Sequence, residues 1–300
     1  MTLDFMILGA QKAATSSLHQ ALRVRPGISM PVGESAFFED PDFASRPWTR
    51  FREKAGNQTK LGIKRPDSLC RNDIRERICS THPSARFIVV LREPVSRAVS
   101  AYFHLARHGH IRAEGLDKAI HRGLADHREG LRTPASSLVE FGLYGSSLEV
   151  WMQRYPERNF LVLGQTEVAD DLPGVLSRCS TLIGTPDIAA DARGAGRDEN
   201  VGSYDPRTFR MHRWGQLART RPLAGTDRRV PRDAPALRFA GHGLVVLAKG
   251  LSRTGLPPPD LSPRIREELV DLYAADLPRL QGLVPPDAVY WATSPGNEGP

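Results

Sequence analysis

The chain has 300 residues, enough for one large α/β domain or two smaller ones with a substantial core. Its 41 lysines and arginines against 34 aspartates and glutamates leave a charge of +7, a balance that attracts anions of many kinds but forms no block of like charge of the sort found in basic tails. Cys70, Cys79 and Cys179 are odd in number and lack the close pairing of a zinc or redox motif. They are expected as reduced thiols of a cytoplasmic protein. The chain shows no basic stretch followed by an apolar one near its start and no uncharged apolar run near 18 residues, which predicts no membrane insertion.

The first element is a short apolar run, Phe5 to Leu8, broken at Gly9. It is followed by a loop of small residues holding Lys12, and then by a helical pattern with Leu18, Ala21 and Leu22 on one face. Thr15, Ser16 and Ser17 fall in the first turn of that helix, where free backbone N–H groups and the positive end of the helix dipole suit an anion such as a phosphate. The loop lacks the Gly-Lys-Ser/Thr ending of ordinary ATP and GTP binders, because Ala14 stands where glycine would and the lysine lies inside the loop. Two readings of Lys12 stand at this point: a ligand for a 5′-phosphate, and a solvated lysine in an ordinary strand-to-helix turn.

Arg25, Pro26 and Gly27 stop the first helix, and an extended piece from Ile28 to Val32 leads to Glu34 just past its end. Parallel α/β sheets place their chemistry at strand ends, which makes Glu34 a candidate acid, with a plain surface glutamate as the other reading. Residues 39 to 59 are mixed and polar, expected as helix and loop. Lys60 to Pro66 predicts a short strand ending in the basic pair Lys64 and Arg65, either of which could reach the pocket of Lys12.

Phe87 to Leu91 is a continuous apolar, β-rich run, as expected of a strand buried on both faces. Pro94 suits the first turn of a helix on which Val95, Ala98, Val99 and Tyr102 recur at helical spacing. Arg92 at the strand end and Ser100 on the helix are candidates for a second phosphate site, or else a sheet-edge arginine and a helix-surface serine. The histidines at 104, 108, 110, 121 and 127 read as surface residues, since the glutamate of a zinc-binding His-Glu-x-x-His helix is replaced by Leu105.

A core helix is predicted across Tyr144, Leu148, Trp151 and Met152. A strand follows over Asn159 to Leu163, and then a helix from about Pro173 with Val175, Leu176, Cys179, Leu182 and Ile183 facing inward. From 189 to 259 the pattern dissolves into Gly, Pro, Asp and Arg, an irregular segment that is substrate-facing in one reading. The last helix runs from Pro263 to Leu280. No linker composition divides the chain, so a single domain over 1–300 is expected, α/β in class with a mostly parallel central sheet flanked by helices.

These units stand in the order seen in sulfotransferases that use 3′-phosphoadenosine 5′-phosphosulfate (PAPS), and the chain resembles the branch that includes heparan sulfate and bacterial sulfotransferases. The likeness extends to Leu272, Tyr273, Asp276, Leu277 and Leu280 and to Tyr290 and Trp291, thinning between Ala189 and Pro259. It implies a P-loop-like nucleotide-binding fold in which Gln11, Lys12, Ala13, Ala14, Thr15, Ser16 and Ser17 form the 5′-phosphosulfate loop. Lys12 would be the donor-binding and catalytic lysine, and Arg92 and Ser100 the ligands of the 3′-phosphate. It further implies that Glu34, which precedes Phe37 and Phe38, is the base, although Gly33 and Ala36 replace the family's lysine and histidine there. Lys64 resembles the lysine of a Gly-Glu-Lys-x-Pro segment, with Ile63 in place of the acid.

The implied reaction is in-line sulfuryl transfer to a hydroxyl or amino group of a glycan, lipid or small-molecule metabolite, without a metal and without nucleic acid. An atypical nucleotide kinase and a non-catalytic nucleotide or polyanion binder are the competing classes. A binder would have no use for Glu34.

Overall fold

The computed structural model describes residues 3–40, 43, 55, 56, 58–186, 204–223, 229–252 and 256–292. Most of 39 to 59, and 189–203, 224–228 and 253–255 within the segment read as irregular, therefore lie outside the described residues. The chain divides into two compact units, one from Met1–Glu93, Leu143–Glu199 and Ala274–Glu298, the other from Pro94–Gly142, Asn200–Tyr273 and Gly299–Pro300.

The first unit is built on a five-stranded sheet. Its strands are β1 (Phe5–Gly9), β2 (Ile28–Ser29), β3 (Lys60–Lys64), β4 (Arg86–Leu91) and β5 (Phe160–Gly164), in the order β2-β3-β1-β4-β5 with every pairing parallel. The continuous apolar runs of β1 and β4 fit this arrangement, since both strands are buried along almost their whole length. Phe5 lies across Gly62 of β3, where an added Cβ would come within 2.2 Å of its ring, so only glycine leaves room for it.

From β1 the chain passes to β2 and then β3 on one side and afterwards crosses to β4 on the other. The carboxyl end of β1 is thus a topological switch point, where such sheets open a crevice. Helix α1 (Thr15–Arg23) follows β1, and α2 (Asn72–Thr81) leads into β4.

An aromatic-bearing helix packs on the sheet in this unit. Helix α6 (Tyr144–Met152) places Trp151 4.9 Å from the Phe87 ring, its indole N–H donating to the Leu69 carbonyl at 2.9 Å. Asp276 closes the start of α6, accepting from the Gly145 and Ser146 amides at 2.6 and 2.8 Å. Past β5 come α7 (Gln165–Asp170) and α8 (Leu172–Ile183), with Val175, Leu176, Cys179 and Ile183 buried.

The second unit is largely helical: α3 (Pro94–His108), α4 (Leu116–Arg128), α5 (Ser137–Glu140), α9 (Pro206–Arg219) and α10 (Pro235–Leu251), with a two-stranded antiparallel ribbon of β6 (Thr220–Pro222) and β7 (Arg229–Pro231). The long helix α11 (Pro263–Gln281) supplies residues to both units. Arg97 is fully buried and donates to the Leu138 carbonyl, and the Tyr273 hydroxyl donates to the Val139 carbonyl at 3.0 Å.

The described part of 204–252 corrects the irregular reading of that segment, for it holds two helices and a ribbon. Gly215 of α9 and Gly241 of α10 let the two helices approach until a Cβ on either would meet the other's carbonyl oxygen at 2.7 or 2.5 Å. The histidines read as surface are corrected in part. His121 is exposed, but His104, His108, His110 and His127 are half-buried: α9 packs against α3 and brings His212 within 5.6 Å of His108, and His127 Nδ1 lies 3.4 Å from Glu140 Oε1.

Candidate active site

The loop between β1 and α1 has a backbone suited to an anion. Lys12 and Ala14 both take positive φ, 70° and 59°, a left-handed conformation that side chains with a Cβ rarely adopt. The turn thus brings the chain into α1 at Thr15, aiming the first amides of the helix back over the loop. Two neighbours hold the loop at its ends: the Ala10 amide donates to the Val90 carbonyl at 2.7 Å, and Arg92 Nη1 donates to the Lys12 carbonyl at 3.1 Å. Within the loop Ala13 and Thr15 are buried, while Gln11, Lys12, Ala14, Ser16 and Ser17 keep partial exposure. Gln11 turns its amide to Asp67, donating through Nε2 at 2.9 Å.

Beside this loop lies Lys64, the last residue of β3. Its register opposite Ile7 places it next to the switch point, and it is only 5% exposed. The Nζ donates to Ser16 Oγ at 2.8 Å and pairs with Glu34 Oε1 at 3.2 Å. Arg65 Nη1 meets Glu34 Oε2 at 2.7 Å, so the carboxylate lies between two cations. The Ser35 amide, donating to the Lys64 carbonyl at 3.0 Å, fixes the Glu34 segment there, and the edge-to-face pair of Phe37 and Phe38 anchors the chain just beyond it.

Burial acts to raise the Glu34 pKa, but the charges of Lys64 and Arg65 and their hydrogen bonds outweigh it and hold the carboxyl below its ordinary range. Glu34 is therefore ionised at neutral pH. Arg65 also binds Glu39 through Nε and lies 3.5 Å from Asp67. Burial opposes its charge, yet Asp67, Glu39 and Glu34 together push its pKa up.

The structure thus brings together Glu34, Lys64 and Ser16, with Arg65 joined to them. Arg92 closes the other side of the loop through its bond to the Lys12 backbone. The Arg92-Glu93 turn is itself held by two tyrosines: the Tyr144 hydroxyl donates to the Arg92 carbonyl at 3.0 Å, and the Tyr290 hydroxyl is hydrogen-bonded to the Glu93 backbone. Ser100 is buried on α3 in the second unit. Reading the sequence missed Glu39 and Asp67, whose partner Arg65 becomes visible as an ion-pair centre only once β3 is placed beside the loop. Among the described residues no group of three or more His, Cys, Asp or Glu side chains could hold a metal ion.

Fold and site together define an α/β protein whose parallel sheet presents an anion-receiving turn, a buried lysine and an ionised glutamate at its switch point. The chain belongs to the sulfotransferase domain family, which matches residues 3–192. Heparan sulfate glucosamine 3-O-sulfotransferase 3B1 of Mus musculus is 27% identical over 190 residues, covering 62% of this chain and 47% of that protein. The bifunctional heparan sulfate N-deacetylase/N-sulfotransferase 2 of Homo sapiens is 24% identical over 285 residues, 88% of this chain and 31% of that protein. The chain thus spans about half or less of the length of these curated relatives. Among solved structures, a sulfotransferase from Alicyclobacillus acidocaldarius shares the fold with a TM-score of 0.60 and 20% identity, over 94% of this chain and 96% of that one.

Proposed function

We propose that the protein transfers a sulfuryl group from PAPS to a hydroxyl or amino group of a glycan, lipid or small-molecule acceptor. The observation that carries this reading is the buried Lys64 ammonium joined at once to Ser16 in the first turn of α1 and to Glu34. A binder of nucleotide needs the first contact. The second sets an ionised carboxylate beside the lysine, where it can take a proton from an acceptor. Membership of the sulfotransferase domain family supports the same conclusion.

The residues present fit the donor. The 5′-phosphosulfate has the helix start, the hydroxyls of Thr15, Ser16 and Ser17 and the lysines 12 and 64 to receive it, and Arg92 and Ser100 are assigned to the 3′-phosphate. In the proposed reaction an acceptor oxygen or nitrogen bonds to sulfur while Glu34 takes its proton. The bond between sulfur and the bridging oxygen of the 5′-phosphate breaks, and the lysines stabilise the charge that gathers on that oxygen. Metal is not required in this scheme. We assign both units to one catalytic domain, since the matched stretch 3–192 takes residues from each. We also place the protein in the cytoplasm, a setting that suits three cysteines that form no disulfide.

The test is calorimetric. Adenosine 3′,5′-bisphosphate should bind at least about tenfold more tightly than adenosine 5′-monophosphate, because charge-assisted hydrogen bonds to the 3′ group contribute about 1.5–3 kcal/mol. Equal affinities would overturn the donor assignment. Transfer of labelled sulfate from PAPS into candidate acceptor pools then identifies the acceptor class.

A further inference from the structure

Helix α10 shows an unusual distribution of side chains around its axis. Its buried residues, Gly241, Val245 and Ala248, form one narrow stripe, with Gly241 packed against Gly215 of α9. At 3.6 residues per turn, Arg238, His242 and Lys249 fall together in a second strip next to the first, and all three are exposed. The remaining half of the circumference, an arc of about 180°, holds no charged residue. It carries Leu237, Phe239, Leu244, Val246, Leu247 and Leu251, every one exposed, Phe239 at 83%. Water-facing helices place polar residues there, so an apolar arc of this width marks a surface that another medium covers.

Charge identifies the medium. Residues 204–252 contain ten arginines and lysines against three aspartates, a surplus of seven that equals the net charge of the whole chain. Two copies of this chain docked through α10 would bring two such surpluses together, whereas an anionic surface would be attracted by them. A helix with a wide apolar face and basic residues along its margin is the form that lies in the plane of a lipid headgroup layer, with lysine and arginine stems reaching back to the phosphates. No helix among the described residues is long and apolar enough to cross a membrane, which agrees with lying on one.

We propose that α10 docks the protein on the surface of an anionic phospholipid bilayer, with its apolar arc in the headgroup boundary and Arg238 and Lys249 against the lipid phosphates. Docking there does not depend on the proposed sulfuryl transfer.

The experiment is co-sedimentation of the full chain with phosphatidylcholine vesicles, with and without phosphatidylserine. The wild type should sediment with the phosphatidylserine vesicles, and the partition should fall as salt is raised. Arg238→Gln and Lys249→Gln should each lower that partition about fivefold, the effect of one basic residue near such a surface. The double variant Leu244→Asp, Leu247→Asp should abolish sedimentation while keeping the wild-type circular dichroism spectrum, since both side chains are exposed. Wild-type protein that stays in the supernatant with phosphatidylserine vesicles, or a double variant that sediments as well as wild type, would overturn the proposal. So would a concentration-dependent dimer in sedimentation velocity that the double variant dissociates, because the arc would then belong to a second copy.

Discussion

In the proposed reaction Glu34 accepts a proton while lying between Lys64 and Arg65, two contacts that favour its ionised form. They keep the carboxylate ready at neutral pH, but they also weaken it as a base unless the incoming donor draws Lys64 away. Glu34→Gln preserves size and hydrogen bonding and removes basicity. Single-turnover transfer should therefore fall by about two to four orders of magnitude with little change in nucleotide affinity, and unchanged turnover would move the base elsewhere. The loop residues separate differently. Lys12→Ala should lower the single-turnover rate more than it weakens bisphosphate binding, because charge on the leaving phosphate grows only as the bond breaks. Arg92→Ala should do the reverse. The 3′-phosphate keeps its charge throughout the reaction, although loss of the bond to the Lys12 carbonyl also loosens the loop. A Lys12→Ala enzyme that loses affinity alone and turns over normally at saturation would make the loop a cradle and nothing more.

Among the elements, the most local signals were the most legible in the sequence. β1 and β4 are unbroken apolar runs because both faces are covered, and α1 announces itself through small polar residues ahead of Leu18 and Leu22. The resemblance named Lys64 and Glu34, which the structure places 3.2 Å apart. Glu39 was not legible, since its meaning lies in Arg65, 26 residues further on. Nor were α9 and α10. The first buries a histidine, His212, among arginines, and the second leaves its wide apolar arc exposed while its buried stripe is Gly241, Val245 and Ala248, so neither follows the rule of large apolar residues inside and polar ones outside. Asp276, one of the residues that carried the resemblance, has a structural role here, receiving the first amides of α6. Asp276→Ala should therefore destabilise the protein by about 2 kcal/mol, the upper range for a lost helix cap, as read from the urea midpoint. A midpoint unchanged by the substitution would remove the cap from the account of α6.

Across the whole molecule, acid should be the condition that unfolds it, because both units hold histidines that fold in the neutral form. His19 and His82 in the first unit and His212 in the second are each pushed from 6.5 down to about 4, with burial as the leading cause. Lys64 adds to the effect at His19, and His108, Arg107 and Lys249 add to it at His212. At His82 the Leu3 amide donates to Nδ1 at 3.3 Å, a contact that protonating this nitrogen would destroy. A depressed histidine pKa means that between about 6.5 and about 4 the unfolded chain binds more protons than the folded one, so unfolding free energy falls as pH falls through that window. Each histidine can contribute a slope approaching about 1.4 kcal/mol per pH unit. The depressed Glu34 works in the same direction at lower pH, as its two ion pairs are lost when it protonates. Urea midpoints measured from about pH 7 down to about pH 5 should therefore decline steadily, and His82→Gln, which keeps an acceptor for the Leu3 amide and cannot titrate, should flatten the decline. A flat wild-type profile over that range, or a His82→Gln profile as steep as wild type, would show that these histidines are protonated in the folded protein and would remove burial as the force that sets its acid stability.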